Sequence, residues 1–284
     1  MKKEFIFGPI QMIFSAIVFA GMTYTAKLAS LHISGAEVSF FRLFFGVVMF
    51  LILLSIGKTT FRSDNIKLLL SRGAFGGIAV LLYFASIEKG AITNSTVLQN
   101  TYVIFAAVLG VVLLKEKLTL KTAVALLLSM TGIIVLIHPN FTSIKIADIL
   151  ALTSGIVAAI AVTAIRQLRK RNESSWLIFF YFCFFGMIVS LLFALPVWKW
   201  PNNKECGLIL ITAILGLLGQ VSMTSAYKYC KAAVGGVLSM TSIIFTALLG
   251  IVFLGESLTI LEIIGVLMIF TGSILVIIRS DGNN

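Results

Sequence analysis

The feature that most constrains this chain is a succession of apolar runs, each separated from the next by a short polar segment. A helix that spans a bilayer needs about 20 predominantly apolar residues. Ten runs meet that requirement, near residues 10–31, 36–56, 67–87, 91–114, 119–138, 146–167, 175–197, 206–228, 233–254 and 258–278. The pattern predicts an all-α integral membrane protein with ten transmembrane helices.

Composition supports lipid as the solvent of this chain. Of its 284 residues, 59% are hydrophobic and only 12% are charged, whereas soluble domains carry about 25% charged residues. In water such a chain would expose large contiguous apolar patches. The sequence therefore excludes an ordinary soluble domain.

The positive charge is distributed in short clusters between the apolar runs, one of which comprises Lys58, Arg62, Lys67 and Arg72. The net charge of +11 does not form a basic stripe with interleaved aromatics, so no nucleic-acid partner is expected. With the N-terminus placed inside, sixteen Lys and Arg residues fall on the inner side and six on the outer side. The positive-inside rule then predicts a multi-pass plasma-membrane protein with both termini cytoplasmic.

The chain also contains an internal repeat. Residues 97–137 align without a gap on residues 237–277, which brings Thr101 onto Thr241, Glu116 onto Glu256, and 18 identities into register. Leucine-rich segments match by chance, but paired Gly, Glu and Thr positions indicate a duplication. The predicted units are residues 1–141 and 142–284. Because each holds five helices, an odd number, the second must enter the membrane from the opposite side, as in inverted-repeat transporters.

The segment FTALLGIVFLGESLT at residues 245–259, with its weaker copy ending in LKEKLT at 114–119, resembles the EamA-type permeases of the drug/metabolite transporter superfamily. The resemblance covers nearly the whole chain and includes Arg42, where relatives often carry an arginine. It implies two inverted five-helix repeats around a central cavity, with a cargo that differs among members. Many relatives have a proline in the middle of the fourth and ninth helices, where this chain has Val103 and Ile243.

The four prolines are predicted to lie at helix ends or in loops, and flexibility is expected to come from glycine, at Gly73, Gly76, Gly77, Gly216 and Gly219. The acidic residues all fall in loops or near helix ends, so no carboxylate is predicted at the centre of the membrane. Glu116 and Glu256 are predicted to lie on opposite sides of the membrane, each in a turn or capping role.

Arg42 lies about six residues into its run, roughly 9 Å deep at about 1.5 Å per residue. Its guanidinium is a candidate anchor for a substrate carboxylate or phosphate. The alternatives are that it reaches the outer headgroups or caps a neighbouring helix.

The fourth run is unusually polar, with eight polar residues in the ten from 93 to 102, whereas its repeat partner at 233–242 is smaller and drier. Thr96, Gln99 and Asn100 share one helical face, and lipid would leave their polar groups unpaired. They face either a wet cavity or another helix through hydrogen bonds. Further candidates to line a cavity with them are Tyr24, Tyr83 and Gln220.

Enzyme chemistry finds little support. His32 and His138 fall in predicted outer loops, and the three cysteines have no CxxC spacing or metal-ligand pattern. No cofactor is expected, and the predicted partners are a small-molecule substrate and the lipid bilayer. The interpretation is transport of a small polar or amphipathic metabolite by alternating access, with an exported amino-acid-like substrate favoured. The alternatives are an uptake permease for a nucleoside-like or adenosyl-bearing metabolite, a lipid scramblase and a membrane-embedded enzyme.

Overall fold

The computed structural model describes residues 2–137, 145–255 and 259–278. Glu256 and His138 lie outside the described residues. The first half contains six helices: α1 Lys2–Ala29, α2 Gly35–Ser55, α3 Ile66–Lys89, α4 Ile92–Gln99, α5 Tyr102–Leu114 and α6 Leu120–Ile137. The second half contains α7 Ile146–Lys170, α8 Ser175–Ala194, a 3₁₀ turn Leu195–Val197, α9 Asn203–Ala226, α10 Ala232–Ser239, α11 Thr241–Leu254 and α12 Ile260–Ile278.

Within the described residues, eight helical segments are long and apolar enough to cross a membrane, and α4–α5 and α10–α11 each count as one such segment. Two shorter apolar helices, Leu120–Val135 and Ile263–Leu275, occupy the positions expected for the fifth and tenth spans. The protein is therefore an all-helical multi-pass membrane protein over the part of the chain described here. Ten spans and an inverted arrangement stay predictions.

The outer surface is largely apolar, as expected for a protein surrounded by lipid. Large apolar side chains are widely exposed, among them Leu120 and Ile260, which are 81% and 79% exposed. In water this surface would drive aggregation, whereas hydrocarbon solvates it. The helices that carry these two residues, α6 and α12, also pack against each other.

The helix ends follow the pattern expected from the acidic residues. Glu37 and Glu205 lie in the first turns of α2 and α9 and form capping boxes with Ser34 and Asn202. Each carboxylate accepts the backbone N–H of its capping residue, at 2.9 Å for Ser34 and 2.8 Å for Asn202. This placement favours the helix, since a carboxylate at the N-terminus complements the helix dipole.

The fourth and ninth predicted spans are interrupted without a proline. The first break separates α4 from α5 at Asn100 and Thr101, and the second separates α10 from α11 at Met240. Thr101 Oγ1 donates to Leu98 O at 2.7 Å, and its repeat partner Thr241 makes the same bond to Leu238 O at 2.7 Å. Each hydroxyl adds a hydrogen bond to a carbonyl beside the break, in an interior where lipid cannot supply one.

The expectation that every proline lies at a helix end or in a loop is corrected. Pro9 lies inside α1, not at its end, because the helix begins at Lys2 and extends beyond the apolar run. The glycines expected to supply flexibility lie at close contacts, and that role stays a prediction. A Cβ at Gly77 would lie 2.5 Å from Gly186 Cα, so α3 and α8 approach each other closely at that point.

Candidate functional site

A cavity lies at the centre of the helix bundle. The space that the centre of a water molecule can occupy measures about 140 Å³, far above the roughly 10–15 Å³ that one water requires. Six of the seven candidate residues line it: Arg42, Tyr83, Thr96, Gln99, Asn100 and Gln220. Residues from both halves of the chain therefore surround one cavity, to which these six contribute polar groups.

The seventh candidate, Tyr24, lies elsewhere. Its ring packs against Phe253, with 5.4 Å between the ring centroids. Its neighbour Thr23 lines the cavity and hydrogen-bonds to the Tyr83 hydroxyl. Because consecutive helical residues point about 100° apart, the turn that directs Thr23 inward directs Tyr24 away from the cavity.

Three hydroxyls form a short chain along one wall. The Tyr83 hydroxyl lies 3.0 Å from Thr23 Oγ1 and 2.8 Å from Thr96 Oγ1, which joins α3 to α1 and α4. All three side chains are buried. A buried tyrosine held at both sides has a defined position, so this wall is a prepared polar surface.

The two amides of α4 differ in their surroundings. Asn100 is buried, and its Nδ2 donates to Thr96 O at 2.8 Å, next to the break between α4 and α5. Gln99 is half-buried, and its side chain makes no hydrogen bond to a described residue. Asn100 therefore supports the interrupted backbone, while Gln99 is free to meet whatever enters the cavity.

The cavity contains a second arginine, whose position corrects a prediction from sequence. The charge pattern places Arg72 in a cytoplasmic cluster, but it lies six residues after the start of α3, is only 3% exposed and lines the cavity. A long side chain at this depth can also reach the membrane surface. What holds it inside is tertiary: its guanidinium carbon lies 4.3 Å from the ring centroid of Phe182 on α8.

Arg42 contacts the same ring. Its guanidinium carbon lies 5.8 Å from the Phe182 centroid and 5.5 Å from that of Phe84, and the residue is 4% exposed. The guanidinium carbons of Arg42 and Arg72 are therefore no more than about 10 Å apart, the sum of their distances to Phe182. At an effective dielectric constant of about 20, two positive charges at that separation repel by roughly 1.7 kcal/mol.

Neither guanidinium forms an ion pair with an acidic side chain in the part of the chain that the structure describes. Among the described residues, the ion pairs are Lys89–Glu88 and Arg166–Glu116, and neither involves a cavity arginine. Arg42 Nη1 and Arg72 Nε are buried donors without a partner, as is Gln220 Nε2. Buried charges and donors are normally paired, so these groups require water or a polar ligand in the cavity.

Two glycines in matching positions of the repeat make room for the arginines. A methyl group at Gly76 would overlap Arg72 Nη1, and one at Gly216, the equivalent position of the second repeat, would overlap Arg42 Nε. In the structure both glycines supply space for an arginine side chain. The inward position of Arg72 has one signal in the sequence. Arg72 lies four residues before Gly76, and the repeat has a glycine, Gly216, at the equivalent position.

Each end of the bundle carries a cation on exposed helix carbonyls. Arg166 Nη1 donates to Tyr227 O and Lys228 O at 2.7 and 3.0 Å, beyond the end of α9. Lys27 Nζ donates to Ile87 O and Gly90 O at 2.8 Å, at the end of α3. Cations at helix C-termini are stabilised by the helix dipole.

Glu116, at the end of α5, caps the start of α10 in the second half of the chain. Its Oε2 accepts the N–H of Ala232 at 2.9 Å, at the first residue of α10, and its Oε1 accepts Arg166 Nε at 2.7 Å. The predicted capping role of Glu116 is thus confirmed, and the contact links the end of α5 to α7 and α10.

Both halves of the sequence match one known family. A sequence profile of the EamA-like transporter family matches residues 6–138 and again residues 145–278. The Pseudopaline exporter CntI of Pseudomonas aeruginosa (strain UCBPP-PA14) is 26% identical over 274 residues, which cover 94% of this chain and 94% of that protein. Solute carrier family 35 member G1 of Mus musculus is 26% identical over 270 residues, which cover 87% of this chain and 71% of that protein.

The fold has a counterpart among solved structures. A crystal structure of a protein that is 14% identical superposes with a TM-score of 0.76, over 95% of this chain and 98% of that chain. This likeness concerns the fold alone. Because the family profile matches twice and spans both halves of the sequence, the chain belongs to the EamA-like transporter family and is a membrane transporter of that type.

Proposed function

We propose that this transporter moves a small metabolite with a carboxylate or comparable anionic group, amino-acid-like in size, through the central cavity and out of the cell. The observation that carries the proposal is the buried Arg42 guanidinium, which lines the central cavity and has no acidic partner among the described residues. A guanidinium binds a carboxylate through two parallel hydrogen bonds. The relative named as a pseudopaline exporter supports export as the direction.

The mechanism we propose is alternating access between two inverted five-helix halves, residues 1–141 and 142–284. Helix packing supports it. In the repeat α7 corresponds to α1 and α9 corresponds to α3, and the structure packs α1 on α9 and α7 on α3. The cations at the two ends support it too, because Lys27 of α1 and Arg166 of α7, near the ends of corresponding helices, hold equivalent carbonyls. Two half-structures that rock about one site expose it to each side in turn.

The interrupted helices supply the polar groups of the site. Asn100 and Tyr102 flank the first break and Ser239 and Ser242 flank the second, and all four line the cavity. Tyr102 and Ser239 hydrogen-bond to each other across the two halves. Broken helices that meet at the substrate site are a recurring feature of transporters built from repeats.

The other candidate functions find less support in this arrangement. A lipid scramblase needs a hydrophilic groove that opens to the bilayer along a helix, whereas the polar groups here are buried between helices. Nothing in the cavity favours uptake of a nucleoside-like or adenosyl-bearing metabolite over a smaller anion. The proposed location is the plasma membrane, with both termini cytoplasmic.

Counterflow in proteoliposomes tests the proposal. Vesicles loaded with unlabelled amino acids or organic acids should accumulate the matching labelled compound from outside, and Arg42→Gln should reduce that uptake at least about tenfold, because a hydrogen bond to a charged group is lost. Lys58→Gln, which removes one positive charge from an exposed loop residue, is the control. Equal uptake by wild type and Arg42→Gln would exclude Arg42 as the anchor.

A further inference from the structure

We infer that the substrate carries two negative charges, and that Arg42 and Arg72 each bind one of them. This inference rests on the proposed function and narrows its substrate class to dianions, such as a dicarboxylate or a phosphate monoester. One buried arginine in the cavity predicts an anionic group; a second arginine without a partner predicts another.

The positions of the two charges carry the argument. Arg42 lies seven residues from the start of α2, and Arg72 lies six residues from the start of α3. At about 1.5 Å per residue, they lie roughly 10 and 9 Å from the two ends of a pair of consecutive helices that cross in opposite directions. The two backbone positions therefore flank the centre of the span from its two sides, and both side chains reach one cavity.

The surroundings of the pair compensate neither charge. Around the guanidinium groups lie Phe84 and Phe182, whose rings offer only a weak attraction. No Asp or Glu is among the residues that line the cavity in the described part of the chain. Because the two cations also repel each other, a monoanion leaves one of them buried and unpaired, and a dianion neutralises both.

The polar remainder of the cavity lining is neutral and rich in hydrogen-bonding groups. Gln99, Ser242 and Gln220 belong to it and can bind the uncharged part of a substrate. An amine without an acidic group finds no carboxylate there and meets two positive charges. Polyamines such as putrescine, which carry no acidic group, are therefore excluded as substrates.

Pairs of compounds that differ by one charge and little else provide the test. Binding to purified protein in detergent is measured by calorimetry for glutamate against glutamine, succinate against succinamate, and glycerol 3-phosphate against its methyl phosphodiester. We expect at least one dianion to bind at least about tenfold more tightly than its partner, the effect of one charge-assisted contact. Preference in the carboxylate pairs or in the phosphate pair identifies the source of the charge.

Variants of Arg72 then test whether this residue binds the second negative charge of the substrate. In Arg72→Gln, the preference for the dianion should fall to within about twofold, while Arg72→Lys, which retains the charge, should keep part of it. Lys58→Gln should leave the preference unchanged. Since Arg72→Gln could fail to fold, its melting temperature and size-exclusion profile are measured first, and the wild-type preference stands as a test by itself.

The outcomes separate the two proposals. If monoanions bind as tightly as dianions and Arg42→Gln abolishes both, the two-charge inference is wrong and the anionic-substrate proposal stands. If no anion binds to the wild-type protein and Arg42→Gln leaves counterflow uptake unchanged, both proposals are wrong. Tighter binding of putrescine than of glutamate would also overturn both.

Discussion

Glu116 and Arg166 form an ion pair with 2.7 Å between Oε1 and Nε, and their side chains are only 9% and 12% exposed. The pair connects the end of α5 to α7, and the second carboxylate oxygen caps α10. A buried pair of this kind is costly to break from one side, because the remaining charge loses its partner.

Glu116→Gln should therefore lower the free energy of unfolding by about 3 kcal/mol. The amide keeps one acceptor for the Ala232 N–H but loses the charge that neutralises Arg166. The measurement is chemical or thermal unfolding in detergent. The matched control is Lys89→Gln, which breaks the more exposed Lys89–Glu88 pair of 3.9 Å and should cost less than about 1 kcal/mol. Equal costs for the two variants would show that the Glu116 contact contributes no more than a surface pair.

Gly216→Ala should weaken substrate binding without removing any charge. A methyl group at this position overlaps Arg42 Nε, so the guanidinium must move from its place in the cavity. We expect a loss of affinity of about tenfold or more, since the loss of one hydrogen bond to a charged group has that effect. Gly207→Ala lies on the same helix, α9, and nothing lies within 4 Å of its added methyl group. The control should bind normally; an equal loss in both variants would point to a general effect of alanine in α9.

Gln99→Ala and Asn100→Ala should separate binding from stability. Gln99 has no hydrogen-bond partner among the described residues, so its loss should weaken substrate binding about three- to tenfold and leave the melting temperature unchanged. Asn100 bonds to Thr96 O beside the helix break, so its loss should also lower stability by about 1 kcal/mol. Calorimetry and thermal unfolding of the same preparations measure both quantities. A lower melting temperature for Gln99→Ala, with normal affinity, would place Gln99 in helix packing.

The native cysteines report the orientation in the membrane. Cys206 is exposed near the start of α9, whereas Cys183 and Cys230 are buried. If both termini are cytoplasmic, Cys206 lies outside, and a membrane-impermeant maleimide should label wild-type protein on intact cells. Cys206→Ser should abolish that labelling. Labelling that appears only after the cells are permeabilised would invert the orientation.

The sequence by itself determined the class of this protein and the position of the eight helical segments that are long and apolar enough to span a membrane. Apolar length is a property of the chain in one dimension, and the bilayer requires about 20 such residues for each crossing. The register of the repeat also came from sequence, since Thr101 and Thr241 form equivalent hydrogen bonds in the structure. Glu116 could be assigned to a turn or capping role because it lies at the end of a predicted span, outside the apolar centre of the membrane.

Only the tertiary structure decided which side chains meet in the cavity. The apolar pattern of α3 is compatible with an Arg72 that reaches the membrane surface; its inward position depends on space at Gly76 and on the Phe182 ring from another helix. Tyr24 was expected in the cavity, but one step of about 100° around α1 gave that place to Thr23. A long side chain can point several ways from one backbone position, and its neighbours in space, distant in sequence, select among them.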